Sequence, residues 1–202
     1  RLRIGASVNI GTYYMPRLIR EFQDRYPGIK VQVKINTTAV VEKELLDGKL
    51  DLALVGGTIQ SEYIIAEPLF YEKYTAICAP NHPMAGKTVL LEEFMKEPLL
   101  FREESSGAYE VFQSAVNQTG LTVTPVWEST SQTALMEAVH YGLGVTILPE
   151  QMIKREIREG RLAQITFSDF SFQNTIHIAY HHSKYLSPSI KNFILLIKTL
   201  GF

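Results

Sequence analysis

Residues 128–149 read ESTSQTALMEAVHYGLGVTILP. Hydroxyls at Ser129, Thr130 and Ser131 precede a helical pattern that places Leu135, Ala138 and Val139 on one face, and Val145–Leu148 then reads as a short apolar strand. The order of the parts decides the fold. A P-loop or a dinucleotide fingerprint runs strand, glycines, helix, so that the helix N-terminus receives the phosphate. Here Gly142 and Gly144 come after the helix and before the strand, which excludes both motifs. Gly142 reads as the helix terminator and Gly144 as part of the turn. A nucleophilic serine would sit in a Gly-x-Ser-x-Gly elbow, and the sequence contains none. What is left is an α/β unit with a hydroxyl-rich loop where strand Val123–Trp127 gives way to a helix.

The same grammar extends toward the N-terminus. A strand at Pro98–Arg102 leads to a helix carrying Ala108, Val111, Phe112, Ala115 and Val116 on one face, closed by Gly120, and a short helix near Leu90–Lys96 precedes them. Further back, Leu2–Ala6 is a strand, and a helix with Met15, Leu18, Ile19, Phe22 and Tyr26 on one face stops at Pro27-Gly28. Ile29, Val31, Val33 and Ile35 alternate with polar residues as in a half-exposed strand. Helix Val40–Asp47 and the apolar strand Leu50–Val55 complete a βαβαβ unit with a parallel sheet. Toward the C-terminus come helix Glu150–Glu159, strands at Leu162–Phe167 and Thr175–His181, and a last helix with Ile190, Phe193, Ile194 and Ile197 inward. Ser187 caps that helix and Pro188 opens it.

Composition limits the class. The 202 residues are 46% hydrophobic and 20% charged, with a net charge of −1, enough to bury a core and without the basic excess of a nucleic-acid footprint. The single cysteine, Cys78, lies in an apolar run and reads as a buried hydrophobe. No apolar run approaches the roughly 20 residues that span a bilayer. His177, His181 and His182 have no cysteine or acidic partner close in sequence, so neither a metal nor another cofactor is expected.

Four loops join a strand end to a helix start, and all are rich in small polar residues: Ser7-Val8-Asn9, Asn36-Thr37-Thr38, Ser105-Ser106-Gly107 and Ser129-Thr130-Ser131. In open α/β sheets ligands lie beyond the carboxyl ends of the strands, where helix N-termini favour anions. The candidate ligand-binding residues are therefore Ser7, Asn9, Thr37, Thr38, Arg102, Ser105, Ser106, Ser129, Thr130 and Ser131, with Arg102 as a counter-charge. Plain helix capping explains any one such loop, but four in two α/β halves describe two lobes facing a hydroxyl-lined cleft. Carboxylate and sulfate suit that chemistry equally well. Glu103, Glu104 and Glu128 stand near these loops without an evident acid/base partner, which weakens the case for an enzyme on this fold.

Six segments in this order carry a resemblance: RLRIGAS, LIREFQDRYPGIKVQV, TTAVVEKELLDGKLDLALV, EPLFYEKYTAICAPNHPMAG, HYGLGVTILP and YLSPSIKNFILLIK. Together they resemble the effector-binding domain of LysR-type transcriptional regulators, essentially end to end. The resemblance implies an α/β fold of the type II periplasmic-binding-protein kind. Residues 1–79 with 175–202 would form one lobe and 80–174 the other, joined by crossing strands near Ala79 and Pro80 and near Ile176 and Ile178. It implies a non-enzymatic, cytoplasmic bacterial sensor that binds a small, anionic effector, with no membrane partner. A winged helix-turn-helix outside this sequence would contact DNA. Dimer or tetramer contacts would fall on the strand at Lys30–Ile35 and the helix at Met15–Tyr26. A secreted solute-binding protein of the same fold is the rival expectation.

Overall fold

The computed structural model describes residues 1–104 and 106–201. The chain divides into two compact units, Arg1–Tyr71 with Thr175–Phe202 (unit 1) and Glu72–Asn174 (unit 2).

Unit 1 begins with strand β1 (Leu2–Ser7), which runs directly into helix α1 (Val8–Tyr13); α2 (Met15–Arg25), β2 (Val31–Asn36), α3 (Thr38–Leu46) and β3 (Leu52–Gly56) follow. β1 pairs in parallel with β2 on one side and β3 on the other. Alternation explains the layers. Leu2, Ile4, Ala6, Leu52 and Leu54 point into one core with Leu18 and Phe22 of α2, while Ala53 and Val55 point the other way onto Val41 and Leu45 of α3. The first core is completed by Ile190, Phe193, Leu196 and Ile197 of α8 (Pro188–Leu200), whose N-cap Ser187 accepts the Ile190 N–H at 3.4 Å. The strand expected to be half-exposed at Lys30–Ile35 is exposed on both faces, and even its apolar Ile35 keeps 48% of its surface. As β2 it is the edge strand of the sheet, beside β1.

Two long strands link the units through the chain itself. β4 (Ile64–Cys78) enters unit 2 between Tyr71 and Glu72, and β10 (Gln173–His181) re-enters unit 1 between Asn174 and Thr175. The first passage is upstream of Ala79 and Pro80, which follow β4 inside unit 2, so the passage expected there is displaced. Ile176 and Ile178 are β10 residues in the core of unit 1. β10 pairs antiparallel with β3, His177 opposite Val55.

Unit 2 contains β5 (Thr88–Val89), α4 (Leu91–Phe94), β6 (Leu99–Arg102), α5 (Gly107–Asn117), β7 (Pro125–Ser129), α6 (Gln132–His140), β8 (Thr146–Pro149), α7 (Glu150–Arg158) and β9 (Ala163–Phe167). β6 and β7 pair in parallel, and a parallel bridge from Leu99 to Val145 links β6 to the start of β8. β8 and β9 pair antiparallel with β4, and β5 lies parallel to β9. One face packs Leu99, Phe101, Val145 and Ile147 against Phe112 and Val116 of α5; the other packs Leu100 and Leu148 against Leu135 and Val139 of α6 and Ile153 of α7. Cys78 is fully buried, and desolvation pushes its thiol up to about 11, so it remains an unreactive thiol at neutral pH.

Candidate functional site

In unit 1, β1 and α3 deliver two hydroxyls to the backbone of one residue, Gly56. Ser7 Oγ accepts the Gly56 N–H at 3.4 Å, and Thr38 Oγ1 donates to the Gly56 carbonyl at 2.8 Å. Gly56 ends β3, so the hydroxyl loops after β1 and β2 are both fastened to the end of the third parallel strand. Ser7 is the N-cap of α1 and Thr37 the N-cap of α3, yet neither side chain caps its helix. The Thr37 N–H donates instead to Asn36 Oδ1 at 2.9 Å. Asn9 is buried within the first turns of α1 rather than lying in a loop.

In unit 2, Ser106 is the N-cap of α5 and is buried, again without a side-chain cap bond. Ser105 lies outside the described residues. The loop after β7 behaves differently. Ser131 Oγ accepts the Ala134 N–H at 3.2 Å and so caps α6, while Ser129 Oγ accepts the Ser131 N–H at 3.0 Å. Thr130 is exposed between them. Plain capping therefore accounts for Ser131 but not for Ser7, Thr37 or Ser106.

Arg102 ends β6 and is only 8% exposed. Its Nε and Nη2 donate to the two carboxylate oxygens of Glu103 at 2.8 and 2.9 Å, and Glu103 is itself 9% exposed. The guanidinium is thus already met by a bidentate partner from the next residue. With Tyr109, Phe112, Gln132 and Phe172 it lines a cavity of about 20 Å³, room for one water molecule. Burial raises the Tyr109 phenol above its ordinary range, and the charges of Glu104 and Glu128 raise it further, so it is a neutral hydrogen-bonding group at pH 7.

The glycines of the opening stretch have separate structural duties. Gly142 has φ +74° and terminates α6. A Cβ on Gly144 would meet the Pro98 carbonyl oxygen at 2.2 Å, the same oxygen that accepts the Val145 N–H at 2.9 Å. Gly144 therefore lets β8 begin against the residue before β6. The three histidines do not converge. Burial lowers the pKa of His177 on β10, with a backbone hydrogen bond at Thr175 opposing it, while His181 and His182 stack on each other at 4.8 Å. Among the described residues no three His, Cys, Asp or Glu side chains group to hold a metal ion.

A family model for the LysR substrate binding domain matches residues 1–201. The chain belongs to that family. As a LysR substrate-binding domain it is 27% identical over 197 residues to the uncharacterized HTH-type transcriptional regulator YeiE of Escherichia coli K12, covering 96% of this chain and 66% of the relative. It is 29% identical over 190 residues to the HTH-type transcriptional activator CmpR of Synechocystis, with 94% and 62% covered. The chain thus spans somewhat less than two thirds of those relatives. Two solved structures share the fold. One is the effector binding domain of QuiR in complex with shikimate (TM-score 0.87, 20% identity, 99% of this chain and 96% of that one). The other is the Synechocystis PCC6803 CcmR regulatory domain in complex with 2-PG (TM-score 0.89, 23% identity, with the same coverage). This LysR domain accordingly has the α/β, type II periplasmic-binding-protein-like fold.

Two pairings of this LysR domain are not evident in the sequence. Gly56 directly follows the apolar strand expected at Leu50–Val55, and nothing in the sequence ties it to Ser7 and Thr38, which lie 49 and 18 residues away. Glu103 is expected near the ligand loops, but not as the partner of Arg102. Adjacent residues in a strand point to opposite faces, so an ion pair between them forms only where the strand ends, as it does here.

Proposed function

We propose that this domain senses a small anionic metabolite for a LysR-type transcriptional regulator and performs no chemistry on it. The observation that carries the reading is the set of hydroxyl residues Ser7, Thr37 and Ser106, each the N-cap of a helix that follows a parallel strand and none spending its side chain on the cap. The first-turn N–H groups and these hydroxyls are donors suited to an oxyanion. The candidate effector-binding residues are Ser7, Asn9, Thr37 and Thr38 in unit 1, and Ser105, Ser106 and Ser129–Ser131 with Arg102 in unit 2. The candidate hinge residues are Ala79 and Pro80, which follow β4 inside unit 2, and Ile176 and Ile178, just past the passage of β10 into unit 1. Binding biases the domain toward one state by its differential affinity, and in the cytoplasm a homodimer or homotetramer carries that bias to helix-turn-helix segments on DNA.

The test begins with a thermal-shift screen of sulfate, shikimate and 2-PG at constant ionic strength, since a ligand of the folded state raises Tm. The responding anion is then titrated calorimetrically into Ser7→Ala, Thr38→Val and Thr38→Ser. Expected are at least tenfold weaker binding for Ser7→Ala and Thr38→Val, and near-native binding for Thr38→Ser. Unchanged affinity in the first two variants removes these loops from the site.

A further inference from the structure

The unit 2 half of the site has an electrostatic character that the hydroxyl loops alone do not suggest. Among the described residues of unit 2 Arg102 is the buried cation, and Glu103 already occupies both of the arginine's side-on donors, Nε and Nη2, at 2.8 and 2.9 Å. Both side chains are about nine-tenths buried, so water screens the pair little and its net charge is zero. The carboxylates of Glu104 and Glu128 lie close enough to act on Tyr109, which shares a cavity with Arg102. An incoming oxyanion therefore meets carboxylates rather than a free guanidinium. The guanidinium keeps end-on N–H groups that Glu103 does not use, and these still serve a neutral acceptor.

We propose that Glu103 sets the charge preference of this half-site: it holds the side-on donors of Arg102, turns oxyanions away, and leaves the end-on donors for a hydroxyl or carbonyl of the effector. The inference rests on the proposed sensing site and narrows its ligand class. The part of the effector that meets Arg102 is neutral and oxygen-bearing, and an oxyanion is disfavoured there.

The experiment uses inorganic sulfate as the probe, at fixed ionic strength, on the wild-type domain, on Glu103→Gln and on Glu103→Gln with Arg102→Met. Glutamine keeps one acceptor for Arg102 and removes the competing charge. The sulfate concentration that half-saturates the Tm shift should fall at least tenfold in Glu103→Gln and return to the wild-type value once Arg102 is also replaced. No fall in Glu103→Gln overturns the proposal, as does a fall that survives the loss of Arg102. If Glu103→Gln does not melt cooperatively, Glu103→Asp takes its place, because a side chain one methylene shorter draws the carboxylate back from the two donors. A fall of at least threefold is then expected, and none counts against the proposal. A failure of the sensing site itself registers separately, as effector affinity indifferent to Ser7→Ala and Thr38→Val.

Discussion

Thr146 carries a hydroxyl into the core of unit 2. The residue is fully buried in β8, and its Oγ1 has no hydrogen-bond partner. Strand alternation puts it on the face of Leu148, toward Leu135, Val139 and Ile153. A buried, unpaired hydroxyl forfeits its bonds with water, a cost of about 1–3 kcal/mol by protein mutational measures. Thr146→Val keeps the branched shape and deletes the orphan. It is expected to raise unfolding stability by about 1 kcal/mol in urea titrations without changing the slope. Gly144 predicts the opposite sign. An alanine Cβ at 2.2 Å from the Pro98 oxygen forces β8 off β6, and overpacking of this kind costs about 1–3 kcal/mol or more. Gly144→Ala should lower the urea midpoint, whereas Gly28→Ala, with nothing near its Cβ, should not. At this scale the sequence showed which residues were polar and small, but not their partners. Thr38 is legible only as a candidate hydroxyl at the end of a strand, and its bond to Gly56 is not, because the two meet only when β3 closes beside β1.

At the scale of elements, Asp51 shows how the unit 1 strands are anchored. It stands just before β3; the Arg3 N–H donates to its Oδ2 at 2.7 Å, Arg3 Nη2 to its Oδ1 at 2.8 Å, and Lys184, after β10, reaches the same Oδ1. The Asp51 N–H returns a bond to the Arg3 carbonyl at 2.8 Å. Burial alone would raise the pKa of this carboxyl, but the hydrogen bonds from Arg3 and Lys184 outweigh it and hold the group well below the usual carboxylate range. A depressed folded-state pKa means that the stabilisation is complete above the unfolded value of about 3.9 and is lost as pH falls toward the folded value. Asp51→Asn should therefore cost about 1.5–3 kcal/mol at pH 7, the range for hydrogen bonds to charged groups, and the gap from wild type should narrow below about pH 4. A constant gap between pH 7 and pH 3 would remove the charge from the explanation. The elements legible in the sequence were those with long, clean periods, such as α2, α5 and α8. α1 was not, because six residues with a central glycine show no period; Gly11 is there because its Cβ would strike Ile35 of β2 at 2.6 Å. β4 escaped for a different reason. Its fifteen residues carry Glu67, Pro68, Glu72 and Lys73, and its burial changes along its length as it passes from one unit to the other.

At the scale of the whole molecule, the chain makes unequal demands on its two units. Unit 2 is one continuous run, whereas unit 1 is assembled from both ends of the sequence. The resemblance implied a division of this kind, but the sequence does not mark the residue at which β4 changes unit, since Ala79-Pro80 is a conspicuous turn signal and Tyr71-Glu72 lies inside an unbroken strand. The cores point to a consequence. Every buried residue of the two unit 1 clusters comes from unit 1, and α8, which closes the larger of them, arrives only after unit 2 has been traversed. Chain entropy disfavours bringing α8 back across that excursion, though only weakly, because loop closure rises with the logarithm of length. Replacing residues 72–174 by a short Gly/Ser linker shortens the excursion while leaving both unit 1 cores complete. The expected product is a folded domain with cooperative urea unfolding and a slope suited to about 100 residues, followed by far-UV circular dichroism. Adding Phe193→Ala to that product should cost about 3–5 kcal/mol, because this ring is fully buried against Phe22 with centroids at 5.1 Å. If the shortened chain unfolds without cooperativity, the unit 1 clusters are not a self-sufficient core, and unit 2 does more than interrupt the sequence.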